Sequence, residues 1–136
     1  MENLHSFNVI LLGIIYDPKT KKILLSRREN DPYLKDLSWC FPGGRAIKGE
    51  DIDKTLKNTV KTKTGLEVKN LGTVFSRSYP GKEEFLQIFF LCEVFKGKEK
   101  AGDKIVELKW VSPEEVEGHF SSPFNTRLKE YILSLK

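Results

Sequence analysis

Apolar and polar positions alternate in blocks that map out a chain of strands interrupted by one helix and closed by others. Asn8 to Tyr16 (NVILLGIIY) is almost continuously apolar, the pattern of a strand buried on both faces. Asp17-Pro18-Lys19-Thr20 reads as a turn, and Ile23 to Arg28 (ILLSRR) returns as the second arm of a hairpin. A polar loop from Glu29 to Leu37 follows, with Tyr33 as an aromatic contact. Glu67 to Tyr79 has strand character through Val68, Leu71, Val74 and Phe75. Pro80-Gly81 turns the chain into Phe85 to Phe95 (FLQIFFLCEVF), the most aromatic strand and an expected part of the core. Lys96 to Lys104 reads as a loop and Ile105 to Val111 as a further strand. Ser112-Pro113-Glu114-Glu115 starts a helix with a capping serine, an early proline and acids at the positive end. A last helix from Pro123 to about Leu135 places Phe124, Leu128, Tyr131, Ile132 and Leu135 at helical spacing.

The central stretch, Trp39 to Leu66, reads as a strand, a glycine-rich turn at Gly43-Gly44, and a helix closed by Gly65. Ile52, Leu56 and Val60 recur four apart in that helix and predict a core stripe. Strands first and helices last suggest an α/β or α+β sandwich with helices on a mixed sheet. At 136 residues, one domain over 1–136 is the simplest organisation.

Composition narrows the function classes. No apolar run reaches the roughly 18 residues of a membrane span, so no membrane partner is expected. The opening MENLHSFN has no basic region followed by an apolar core, which makes the cytoplasm the default compartment. Cys40 and Cys92 lack any metal-ligand spacing and are expected as inert buried thiols. The net charge of +4 is spread along the chain, and the basic run Lys96–Lys104 lacks an accompanying nucleic-acid motif. No nucleic-acid partner is expected, and a basic balance equally suits a small phosphorylated ligand.

The segment FPGG, Glu50 six residues past Gly44, and a helix ending at Gly65-Leu66 resembles the Nudix box of the MutT-like hydrolases. Gly44, Glu50, Val60, Gly65 and Leu66 match its pattern, and the LLSRR, WCFPGG and LKWVSPEEV segments fit the family's layout along the whole chain. The resemblance implies an α/β/α sandwich with a mixed central sheet, and a Mg2+-dependent pyrophosphohydrolase acting on a nucleoside-diphosphate-type ligand. It implies Glu50 as a catalytic and metal-binding residue. It also implies that Arg27, Arg28, Gly43, Gly44 and Arg45 lie near the substrate; Lys63, a departure from the family pattern, is a further substrate-binding candidate through the basic helix.

Between its anchors the box departs from the pattern. Asn58-Thr59 stands where the family has Arg-Glu, and Thr62-Lys63 where it has Glu-Glu. Cleaving a diphosphate needs a cation that neutralises phosphoryl charge, and magnesium takes hard oxygen ligands. Positions 59, 62 and 63 are spaced to share one side of a helix, yet they hold two hydroxyls and an ammonium. From Asp51 to Thr64 four lysines face two aspartates, so this helix is net basic. Asp103 and Glu107 are candidate substitute ligands beside Glu50, while Asp51 and Asp53 are read as caps. Pro80, fifteen residues past Gly65, and the aromatics Tyr33, Phe75 and Tyr79 are weaker cues to substrate; His5 and His119 have no evident catalytic partners.

Two functional classes follow. One is a Nudix-type enzyme with weak or non-standard activity through Glu50. The other is a catalytically inactive module that senses a nucleotide, with Lys63 contacting phosphate, or that mediates protein interaction. An exposed strand edge also offers a route to a homodimer.

Overall fold

The computed structural model describes residues 6–28, 39–121 and 124–136. Elements run β1 (Asn8–Asp17), β2 (Lys22–Arg28), β3 (Trp39–Cys40), β4 (Gly43–Arg45), α1 (Ile52–Thr64), β5 (Leu66–Tyr79), β6 (Lys82–Gly97) and β7 (Ile105–Val111). A 3-10 turn (Pro113–Glu115), α2 (Val116–His119) and α3 (Thr126–Leu133) complete the chain. The loop expected over 29–37, with Tyr33, lies outside the described residues, as do His5 and Pro123.

The sheet is mixed and forks at β1. Along one edge β1 runs parallel to β6, from Asn8↔Phe85 to Tyr16↔Glu93. Its other edge is shared: Ile10–Leu12 pair with β4 and Ile15–Asp17 pair with β2, both antiparallel. Strand β2 then carries β7 and β3, and β5 pairs with β6. Because β1 is central, both of its faces must be covered. Leu12 and Ile14 enter one core with Phe41, Phe89, Val116, Leu128 and Ile132, beneath α2 and α3. Leu11 and Ile15 enter the other with Leu56, Val60, Leu66 and Phe90, beneath α1. The result is the expected α/β/α sandwich, and the near-continuous apolar run of β1 is its cause.

Caps hold the helices where the sequence placed them. Asp51 accepts from the Lys54 N–H at 3.1 Å and starts α1. Gly65 ends it in the left-handed region at φ +78°, where an added Cβ would lie 2.3 Å from the Lys98 carbonyl oxygen. The Lys100 and Gly102 N–H groups then donate to the Thr64 and Lys63 carbonyls, so the loop after β6 closes the C-terminal end of α1. Ser112 and Glu115 form the reciprocal contact expected of a capping pair, with Ser112 N–H donating to Glu115 Oε1 at 3.1 Å. At the chain's end, the Tyr16 hydroxyl donates to the Leu135 carbonyl at 2.9 Å and ties α3 to β1.

Several expectations are corrected. Gly43-Gly44 is not a turn but part of β4, hydrogen-bonded along β1, and neither residue has positive φ. Ile52 is 45% exposed, so the buried apolar stripe of α1 is Leu56 and Val60. Phe95 and Leu71 are also exposed, because β5 is an edge strand and its pairing with β6 is irregular at both places. The loop after β6 begins beyond Gly97, and α3 starts at Thr126 behind the cap Asn125. Among the described residues no helix is long and apolar enough to cross a membrane.

Candidate functional site

Of the residues singled out by sequence, Glu50, Gly43, Gly44, Thr59 and Lys63 meet along one side of α1. The turn Ile47–Glu50 closes with Glu50 N–H donating to the Ile47 carbonyl at 3.0 Å, and Gly49 takes positive φ within it. This delivers Glu50 to the positive N-terminal end of α1, where a carboxylate is favoured. There its Oε1 accepts from the Thr55 hydroxyl at 2.6 Å. Thr55 itself is buried and its Oγ1 also lies 3.0 Å from the Asp51 carbonyl oxygen. Thr55, Thr59 and Lys63 are four apart in sequence and stack along one side of the helix. Together with Glu50 they form a polar ridge with an anion at one end and a cation at the other.

That ridge faces β4. An added Cβ on Gly44 would lie 3.1 Å from Thr59 Cγ2 and 3.7 Å from Lys63 Nζ. On Gly43 it would lie 2.1 Å from the Leu11 carbonyl oxygen. The glycine pair therefore lets β4 approach both β1 and α1, and protein atoms fill the space that a side chain would take. Helical side chains lean toward the N-terminus, so the long Lys63 stem runs back over Thr59. Its ammonium donates to the Gly43 carbonyl, and the residue is only 9% exposed. Burying an ammonium is costly unless it is hydrogen-bonded, and the Gly43 oxygen supplies such a bond.

Other candidates are held elsewhere. Thr62 is exposed, outside the ridge that Thr59 and Lys63 define. Arg45 follows Gly44 in β4, and the pleat directs its side chain to the opposite face. Arg27 Nε donates to Glu107 Oε1 at 3.1 Å across the β2–β7 pair, and its guanidinium lies 5.9 Å from the Trp39 ring centroid. Glu107 is thus neutralised by a neighbour on its own sheet. Arg28 is partly buried one residue on, beyond a register shift, opposite Ile105. Asp103 sits in the loop bound to the C-terminal end of α1, whereas Glu50 precedes its N-terminus. A helix of 13 residues puts roughly 20 Å between the two backbone positions. Asp53 is bound to Lys57 at 3.0 Å and to Asn70 at 3.0 Å, and these two bonds hold its carboxyl below the usual value of 3.8.

Thr55 is the residue that sequence reasoning missed. Its signal was a β-branched polar residue directly before the buried Leu56, five residues after Glu50.

The donor set on the ridge does not fit a magnesium ion. Magnesium takes several hard oxygens, with carboxylates among them. Here one carboxylate is followed by two hydroxyls and then by a buried ammonium. Among the described residues no group of three or more His, Cys, Asp or Glu side chains could hold a metal. Cys92 is buried, which pushes its thiol up to about 12, and Cys40 is partly buried beside Ser26.

Comparison with known proteins places this geometry in context. The family model of the NUDIX domain matches residues 7–133. The chain is 28% identical over 114 residues to an 8-oxo-dGTP diphosphatase of Buchnera aphidicola, spanning 84% of this chain and 83% of that protein. Among solved structures it resembles a NUDIX hydrolase from Nitrosomonas europaea, with TM-score 0.78 at 17% identity, over 97% of this chain and 73% of that one. An ADP-ribose pyrophosphatase from Streptococcus suis gives TM-score 0.66 at 18% identity, over 96% and 87% of the two chains.

Proposed function

The chain belongs to the NUDIX domain family, and from that premise we propose that it binds a nucleoside-diphosphate-type ligand beside the α1 ridge and hydrolyses it weakly or not at all. Nudix hydrolases generally use divalent metals, and nucleotide-type substrates are typical of the relatives. The ligand class rests on that membership. The weak turnover rests on one observation: Lys63, buried against the Gly43 carbonyl, puts a fixed cation on the face where carboxylates would be needed to hold a metal. Phosphoryl transfer depends on positioning and on neutralising charge around the reacting phosphorus. An ammonium attracts a diphosphate but does not generate a nucleophile from water, as a metal does. Glu50, oriented by Thr55, is the group placed to take a proton from an attacking water. On this reading the ligand is small and the compartment is the cytoplasm.

Isothermal titration of the full chain with ADP-ribose, nucleoside triphosphates and dinucleoside polyphosphates, with and without magnesium, tests the reading. Binding that needs no magnesium and is lost in Lys63→Glu is the expected result. Turnover on the order of 1 s⁻¹ or faster would overturn the weak-activity part. Failure of every nucleotide to bind would replace it with an interaction module.

A further inference from the structure

The side of α1 turned away from the ridge carries a second cluster of cations. Lys57 and Lys61 lie two residues from Thr59 and Lys63 respectively, about 200° around the helix. With the start of β5 they line a cleft of 420 Å³. Its other wall holds Lys69 and the ring of Phe95. In register, Glu67 opposes Lys96 and Val68 opposes Val94, so Phe95 is the extra residue of a β-bulge. Bulges re-aim side chains, and this one leaves the ring 55% exposed at the cleft.

The wall is braced and its charge is incompletely matched. Asp53 joins Lys57 and the Asn70 amide, and the Asn70 oxygen accepts from Gly72 N–H at 2.9 Å. Lys61 reaches Glu67 only at 3.8 Å and its side chain is 62% exposed. Lys69 makes no ion pair among the described residues. Lys69 is thus available to an anion next to an exposed aromatic face, and Lys61 joins it where a phosphate displaces the Glu67 carboxylate, which also lines the cleft. A bare phosphate would leave most of the volume empty, whereas 420 Å³ falls within the range of small-ligand pockets.

We propose that this cleft is a second ligand site, separate from the α1 ridge, which takes a nucleoside monophosphate with its phosphate on Lys61 and Lys69 and its base against Phe95. Phosphate recognition by lysine is that of a point charge, and aromatic stacking accepts any base, so the site reads nucleotide class and not base identity.

An NMR titration of the 15N-labelled full chain with AMP, with inorganic phosphate as the ring-free probe, tests this. AMP should shift the amides of Lys61, Lys69 and Phe95 and leave Gly44 and Thr59 unmoved. Phosphate should shift only the lysines, at higher concentration. Lys69→Glu should weaken AMP by about tenfold, and Phe95→Ala should bring AMP down to the affinity of phosphate. Both side chains are exposed, so each variant should keep the wild-type spectrum elsewhere. Three results would overturn the proposal: no shift at roughly 10 mM AMP, shifts confined to the Glu50–Thr59 side, or equal AMP affinity with and without the Phe95 ring. An oligonucleotide binding more than about tenfold tighter per nucleotide would make the cleft a single-strand site instead. Failure at the α1 ridge would leave these shifts in place, so the two sites are judged separately.

Discussion

The two sides of α1 that meet the sheet have different fates. The Leu56/Val60 side is fully buried in an apolar core with Leu11, Ile15 and Phe90. The Thr59/Lys63 side also packs on the sheet, against Gly43 and Gly44, yet it is polar and carries a charge. Packing of the first kind needs only volume and shape, and any apolar pattern of the right period meets it. The second kind needs each polar atom to find a partner, so its chemistry depends on single residues. The scaffold and this polar face thus answer to different constraints.

Substitutions can separate the two sides. Leu56→Ala should cost about 3 kcal/mol, because it opens a cavity in a side fully shielded from solvent. Denaturant unfolding would show it as a lower midpoint with an unchanged slope. Gly43→Ala should cost about 2 kcal/mol, since its Cβ would overlap a backbone oxygen of β1 that cannot turn aside. Gly44→Ala is tight only against the Thr59 methyl, its other neighbours lying at ordinary contact distance, and should cost less; equal losses at the two glycines would sink this account of their packing. Lys63→Met keeps the packed stem and removes the charge. It should cost about 1 kcal/mol, the lost hydrogen bond being offset in part by the removed desolvation penalty.

The smallest effect concerns pH. The Lys57 and Asn70 bonds depress the Asp53 carboxyl below its ordinary value, so its contribution is present above that value and is lost as pH falls through the folded one. Wild type should therefore exceed Asp53→Asn by a few tenths of a kcal/mol at neutral pH. The gap should stay constant down to about pH 4 and fade below it. A gap that widens in acid would contradict the sign of the shift.

Much of this was legible in sequence, for physical reasons that differ by residue. The apolar run of β1 over residues 9–15 predicted a strand with two covered faces, because polar residues are absent from both of its alternating sets. Asp51 and Gly65 marked the ends of α1 through capping chemistry that is local. The glycine pair was misread as a turn because a missing Cβ says that something comes close without saying what does. Here the neighbours are Leu11 and Thr59, which lie 32 and 15 residues away from Gly43 and Gly44 respectively. Phe95 escaped because alternation cannot reveal a one-residue bulge, which exists only in the pairing with β5. Thr55 escaped because its partner, Glu50, reaches it through a turn whose geometry the pattern does not encode. The substitutions at 59, 62 and 63 were visible at once, but only the fold separates exposed Thr62 from the two residues on the ridge.

The central claim is that the Lys63 ammonium replaces a divalent cation on this face. Its most direct test is a magnesium titration of the wild-type chain beside the double variant Thr59→Glu/Lys63→Glu, each first checked for a native spectrum. Wild type should show no saturable binding below roughly 10 mM, and the double variant should bind at least about tenfold more tightly. Saturation of the wild type at submillimolar magnesium, no weaker than the variant, would contradict the account.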